Sequence, residues 1–140
     1  LLLMASFGSS VILIFTVPEL ITAQPWPAVA GHVIAALVGV FVRENVPGPH
    51  FIALALAVSL SLMLMFMTAS LHPPAGGTAI MALNVDDTLA SYGYGLAFFP
   101  MAAGMIILVA AATVYLNLVG DRRYPRRGAY SLFRPGQRKG

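Results

Sequence analysis

The stretch Leu71-His72-Pro73-Pro74-Ala75-Gly76-Gly77-Thr78 gathers the residue types that can hold a small anion. Two prolines cannot sit inside a helix, and the residue before a proline is pushed out of helical geometry, so an arriving helix must stop near residues 70–72. Proline suits a first helical turn, where its missing N–H costs nothing, so a second helical piece is expected to open at Pro73-Pro74 and run to Asn84. Gly76 and Gly77 leave that opening turn bare. Backbone N–H groups at a helix start carry the positive end of the helix dipole and attract an anion, with Thr78 adding a hydroxyl. A plain kink with no ligand explains the same residues structurally.

The remaining polar residues are few. His72 abuts the helix opening and is the leading site residue, as donor or titratable gate; His32 falls within an apolar segment and His50 near its edge. Ser9, Ser10, Gln24, Asn84 and Asn117 are the further polar candidates for the lining. A metal site built on His32 and His72 is the rival chemistry, but no carboxylate or cysteine stands with them to complete a familiar ligand set, so no metal and no cofactor is assigned. Serines are present without a base and an orienting acid at a recognisable spacing, which leaves no nucleophile and no enzyme assignment.

What must position these residues is membrane-embedded. Of 140 residues, 59% are hydrophobic and 9% charged, and the mean hydropathy is +0.84, far from the composition of soluble domains. An all-α membrane protein follows, with about four transmembrane helices plus a short broken or re-entrant half-helix starting at His72-Pro73-Pro74. Cysteine is absent, so no disulfide framework exists. The charges divide the chain into a transmembrane domain over 1–119, with Arg43 as its one basic residue, and a tail over 120–140 with seven basic residues and Asp121. The positive-inside rule puts that tail in the cytoplasm, of a bacterial inner membrane on this reading, and makes it a lipid-surface segment rather than a nucleic-acid binder.

Along the chain, 1–17 is apolar, interrupted at Phe7-Gly8-Ser9-Ser10, and starts without Met, so an upstream segment is expected. Residues 28–42 make a span of only 15, short for a bilayer, carrying small residues at Gly31, Ala35 and Gly39. Such a stripe lets another helix approach closely, within the protomer or in a homo-oligomer. Residues 51–71 are long enough to cross; the alternating Met63, Met65 and Met67 read as filler. Residues 75–84 give about 15 Å of helix, half a bilayer. The final span covers 94–119, kinked or started by Pro100. A faint echo links Met4-Ala5-Ser6-Phe7 with Thr68-Ala69-Ser70-Leu71 and suggests two broken helices around one site.

Taken together, Phe7-Gly8-Ser9-Ser10, Pro18, Ala23-Gln24-Pro25, Gly31-His32 and His72-Pro73-Pro74-Ala75-Gly76-Gly77-Thr78-Ala79 resemble the HPP family of integral membrane proteins. The resemblance implies a small multi-helix membrane protein. The resemblance also implies a link to nitrite transport, shown by some relatives, and CBS domains are fused to some others. The expected function is therefore a transporter or channel-like permease for a small anion, nitrite among the candidates, held at the helix start after His72-Pro73-Pro74. A metal-binding intramembrane enzyme and a structural module assembling with partners are the alternatives.

Overall fold

The structure is a computed structural model; it describes residues 2–119 and 122–126, the side chains of residues 2–4 excepted. Among the described residues there are six α-helices: α1 (Leu2–Thr16), α2 (Pro25–Asn45), α3 (His50–Met67), α4 (Ala75–Leu83), α5 (Asp87–Ala90) and α6 (Ala103–Leu118). Among the described residues there is no strand. Four long helical segments and one half-helix match the architecture expected from the sequence. Three of them, Pro25–Asn45, His50–Met67 and Gly93–Leu118, are long and apolar enough to cross a membrane, and Ala5–Thr16 is a shorter apolar helix.

Several boundaries move, each for a local reason. The second span is 21 residues rather than 15, because Pro25 and Pro27 stand in the first turn, where no N–H is needed, and Arg43-Glu44-Asn45 continue the last one. It therefore crosses without help from its flanks. The third helix stops at Met67, before the prolines require it. Ser70 N–H bonds to Met65 C=O (2.9 Å) and Ala69 N–H to Phe66 C=O (3.3 Å), with Ala69 in the left-handed region at φ 51°. That pairing is a Schellman cap, with alanine where glycine is usual. The first helix runs unbroken through Phe7-Gly8-Ser9-Ser10, so the echo with 68–71 does not mark a second broken helix. The last span kinks at Phe99, whose φ and ψ of −133° and 123° leave helical geometry just before Pro100.

α2 is the central post, and α4 packs along it. A Cβ added at Gly31 would lie 2.9 Å from Ser70 O and 3.0 Å from His72 Cβ; at Gly39 it would lie 2.6 Å from Ala82 Cβ and 2.7 Å from Ala79 O. The small-residue stripe is thus filled by the half-helix of the same chain. It is not a free face for a partner, which removes the feature on which the structural-module reading stood. The half-helix is short in sequence but completes a crossing: it begins against Gly31 and ends where Arg43 donates to Ala82 C=O (3.3 Å). Arg43 consequently lies at the end of the bundle away from the basic tail, not on the tail's side as a re-entrant α4 implies, because α2 is a continuous rod between them.

The tail's first described residues fold back on the bundle. Tyr124 is buried and its hydroxyl donates to Ala23 C=O (2.8 Å), Arg126 N–H donates to Gln24 Oε1 (2.8 Å), and Asn117 bonds the Tyr124 backbone. Burial of Tyr124 among Ile14, Ala28 and Leu116 ties this strap to the core beyond residue 119.

Candidate functional site

A chain of polar side chains lies where the broken helix meets α1 and α2. Ser6 and Ser10 stand one turn apart on α1, so both face inward. His32 projects from α2 one residue after Gly31, whose missing side chain admits the 70–75 backbone. His72 comes from the break and Thr78 from the first turns of α4. All five are buried. Ser10 Oγ is 2.9 Å from His32 Nε2 and 2.9 Å from His72 Nε2. His32 Nδ1 is 2.6 Å from Thr78 Oγ1, which is 3.1 Å from Ser6 Oγ. His72 Nδ1 is 2.6 Å from the Thr22 carbonyl, in the short turn before α2. Buried polar atoms left unpaired in an apolar bundle are costly, and among the described residues no buried side-chain N or O lacks a partner.

Aromatic packing fixes the rings. Phe7 stacks on His32 with centroids 5.6 Å apart and planes 8° from parallel, and the two imidazoles are 5.3 Å apart. Gly104 makes room for this: a Cβ there would meet Phe7 Cζ at 2.8 Å. α6 thereby holds Phe7 against His32.

Two cavities flank the break. One of about 360 Å³ lies toward α3 and is lined by Ser61, Met65, Leu71, His72, Pro73 and Gly76. The other, of about 340 Å³, lies toward α1 and is lined by Ser6, Ser9, Pro73, Pro74 and Gly77 among others. A Cβ on Gly76 would meet nothing within 4 Å, so its bare face opens into space. The helix start itself is less bare than its sequence suggests. Ala75, Gly76 and Gly77 N–H groups donate to His72, Pro73 and Pro74 carbonyls at 2.9, 3.1 and 3.1 Å. An anion there is a second acceptor for donors that already have one.

The structure sorts the sequence candidates. His32, His72, Ser10 and Thr78 meet in one network; Pro73, Pro74, Gly76 and Gly77 line its two flanking cavities, and Ala75 is buried against Gly31. Ser9 borders the α1-side cavity while bonding back to Ala5 C=O (3.1 Å). Gln24 is buried but braces the loop before α2, donating to Pro18 and Leu20 carbonyls and accepting from the tail strap. Asn84 and Asn117 cap helix ends by bonding to Ile80 and Thr113 carbonyls, away from the network. Ser6, Phe7 and Thr22 are site residues that sequence reasoning missed. The four-residue spacing of Ser6 and Ser10 was the available signal for the first; nothing local marks the Thr22 carbonyl. Among the described residues, no three of His, Cys, Asp and Glu come together as a metal set.

The family model described as "HPP, transmembrane region" matches residues 1–125. Transmembrane protein DDB_G0273707/DDB_G0273361 of Dictyostelium discoideum is 34% identical over 126 residues, covering 88% of this chain and 40% of that protein. Transmembrane protein DDB_G0269096 of the same organism is 39% identical over 127 residues, covering 88% and 44%. The chain thus spans less than half the length of these relatives. No solved structure matches. With the match running through all four helical segments, the half-helix and the strap residue Tyr124, the chain is an integral membrane protein that belongs to the HPP transmembrane family.

Proposed function

We propose that the chain is the transport unit of a permease for a small anion, nitrite among the candidates, with the solute passing beside the opening of α4. The observation that carries this reading is the buried Ser6–Thr78–His32–Ser10–His72 network at the break of a half-helix, with a cavity on either side. Ionisable side chains inside a membrane bundle and broken helices are costly, and both recur at solute pathways. A three-atom anion needs a small fraction of a 360 Å³ cavity. Gly76 offers close approach, His72 a polar edge, and the dipole of α4 a positive end. Because the N–H groups there already have carbonyl partners, binding is weak, which suits permeation over storage. Uptake into proteoliposomes scanned across nitrite, nitrate, formate and chloride tests the reading. Rates equal to those of protein-free liposomes for all four would end it.

On this reading the partners are the anion and the bilayer. Homo-oligomerisation then rests on the small number of spans alone, since the Gly31, Ala35, Gly39 stripe is used within the chain. The basic tail faces the cytoplasm in our proposal, with Asp86 and Asp87 at the opposite end of the last span; the bacterial membrane anticipated from the sequence has no counterpart among the Dictyostelium discoideum relatives. The chain has no cysteine, so single cysteines at Ser91 and Ser131 report topology cleanly. Membrane-impermeant reagent applied to intact cells is expected to label position 91 and spare 131. Labelling of 131 alone would reverse the orientation.

A further inference from the structure

We propose that Ser10, His32 and His72 form a buried site for a single proton, taken by His72 and accommodated by the Ser10 hydroxyl that bridges the two imidazoles. This goes beyond the anion reading and holds whatever solute is carried.

Hydrogen counting makes the argument. The Thr22 carbonyl can only accept, so His72 Nδ1 carries a hydrogen and donates to it. With His72 neutral, its Nε2 is a bare lone pair facing Ser10 Oγ at 2.9 Å, and it takes the one hydrogen Ser10 has. Ser10 can then only accept from His32, which fixes His32 as the Nε2–H form. His32 Nδ1 is left to accept from Thr78 Oγ1, so in this state the one Thr78 hydrogen turns to His32 and away from Ser6 Oγ, the acceptor 3.1 Å away that it can otherwise serve. Every bond in the neutral state therefore runs one way, from Thr78 through His32, Ser10 and His72 to Thr22. Both tautomers are determined.

One added proton fits without moving a heavy atom. It goes on His72 Nε2, which becomes a donor to Ser10 Oγ. The Ser10 hydrogen swings to the Ser6 carbonyl, 3.0 Å away, and Ser10 accepts from both imidazoles with its two lone pairs. The proton count closes: the neutral pair carries one ring N–H each, the loaded pair carries three, and Ser10 keeps its own hydrogen throughout. A second proton would put two imidazolium rings with centroids 5.3 Å apart, and at an effective dielectric of 20 their repulsion disfavours it by roughly a hundredfold. The pair therefore titrates as one coupled unit. Among the described residues, α1 presents Ser6, Phe7 and Ser10 to the pair, α4 presents Thr78, and the turn before α2 presents the Thr22 carbonyl; none is acidic or basic. Arg43, the basic residue of α2, bonds Ala82 C=O three turns beyond His32.

The chain has three histidines, so His50→Gln leaves only this pair visible. Histidine-selective nitrogen-15 spectra of that variant in lipid discs are expected to show, at alkaline pH, His72 protonated on Nδ1 and His32 on Nε2. Acidification is expected to add one proton per chain, at His72 Nε2, with His32 remaining the neutral Nε2–H form. In Ser10→Ala, His32 should lose its single tautomer. The reverse tautomer on either ring at alkaline pH would overturn the proposal, as would two independent protonations, or none while the protein stays folded. If Ser10→Ala does not fold, the tautomers and proton count of the Ser10 protein decide alone; a folded Ser10→Ala that leaves His32 unchanged would also refute the bridge.

Discussion

Gly39→Ala is expected to destabilise the folded chain by about 2–3 kcal/mol, while the same substitution at Gly8 leaves stability unchanged or raises it by up to about 1 kcal/mol. The new Cβ at 39 would stand 2.6 Å from Ala82 Cβ and 2.7 Å from Ala79 O. Neither atom is the end of a flexible side chain, so the whole of α4 must back away from α2. That shift opens the contact on which the broken helix depends. At Gly8 a Cβ meets nothing within 4 Å, and alanine is the better helix former. Thermal or denaturant unfolding in one detergent compares the two. Equal effects of the two substitutions would mean that α2 and α4 are not in this contact.

Protein-dependent uptake is expected to rise as pH falls, and His72→Gln to flatten that slope, changing the low-pH to high-pH ratio by roughly tenfold or more if a single charge a few ångströms from the anion sets it. The sign follows from linkage: a proton on the histidine pair attracts an anion beside it, and the bound anion favours the proton by the same factor. Glutamine suits the test because its amide supplies one donor for Thr22 C=O and one acceptor for Ser10, the same pattern as neutral His72, but it takes no proton. Weak-acid anions such as nitrite also leak through lipid as the neutral acid at low pH, so the protein-free rate is subtracted at each pH. An unchanged slope in a folded His72→Gln protein would leave His72 a structural brace.

Much of the architecture was legible because its causes are local. Pro73-Pro74 set the opening of the half-helix, apolar runs of bilayer length give the spans, and that opening lies at the expected place. What sequence could not supply was who faces whom. The Gly31, Ala35, Gly39 stripe announced close packing but not its partner, and the partner proved to be α4. His32 and His72 were visible singly; that Ser10 touches both depends on α1 packing beside α4 at the level of the break, a contact between residues 62 apart in sequence. Gln24, Asn84 and Asn117 show the converse limit. Their polarity in apolar sequence suggested a lining, but each serves backbone groups at a loop or a helix end. Boundary errors at Pro25–Asn45 and at Met67 came from cap chemistry that holds on either side of the apolar run.

Nitrite uptake by Gly76→Leu tests most directly whether a small anion passes beside the opening of α4. A Cβ there meets nothing within 4 Å and Gly76 lines the cavity of about 360 Å³ between α3 and α4, so the variant should fold as the parent does while the path is filled. The account predicts unfolding behaviour indistinguishable from the parent and protein-dependent uptake reduced at least about tenfold, the loss expected when about 1.4 kcal/mol or more is added to the barrier. Undiminished uptake by the folded variant would contradict it.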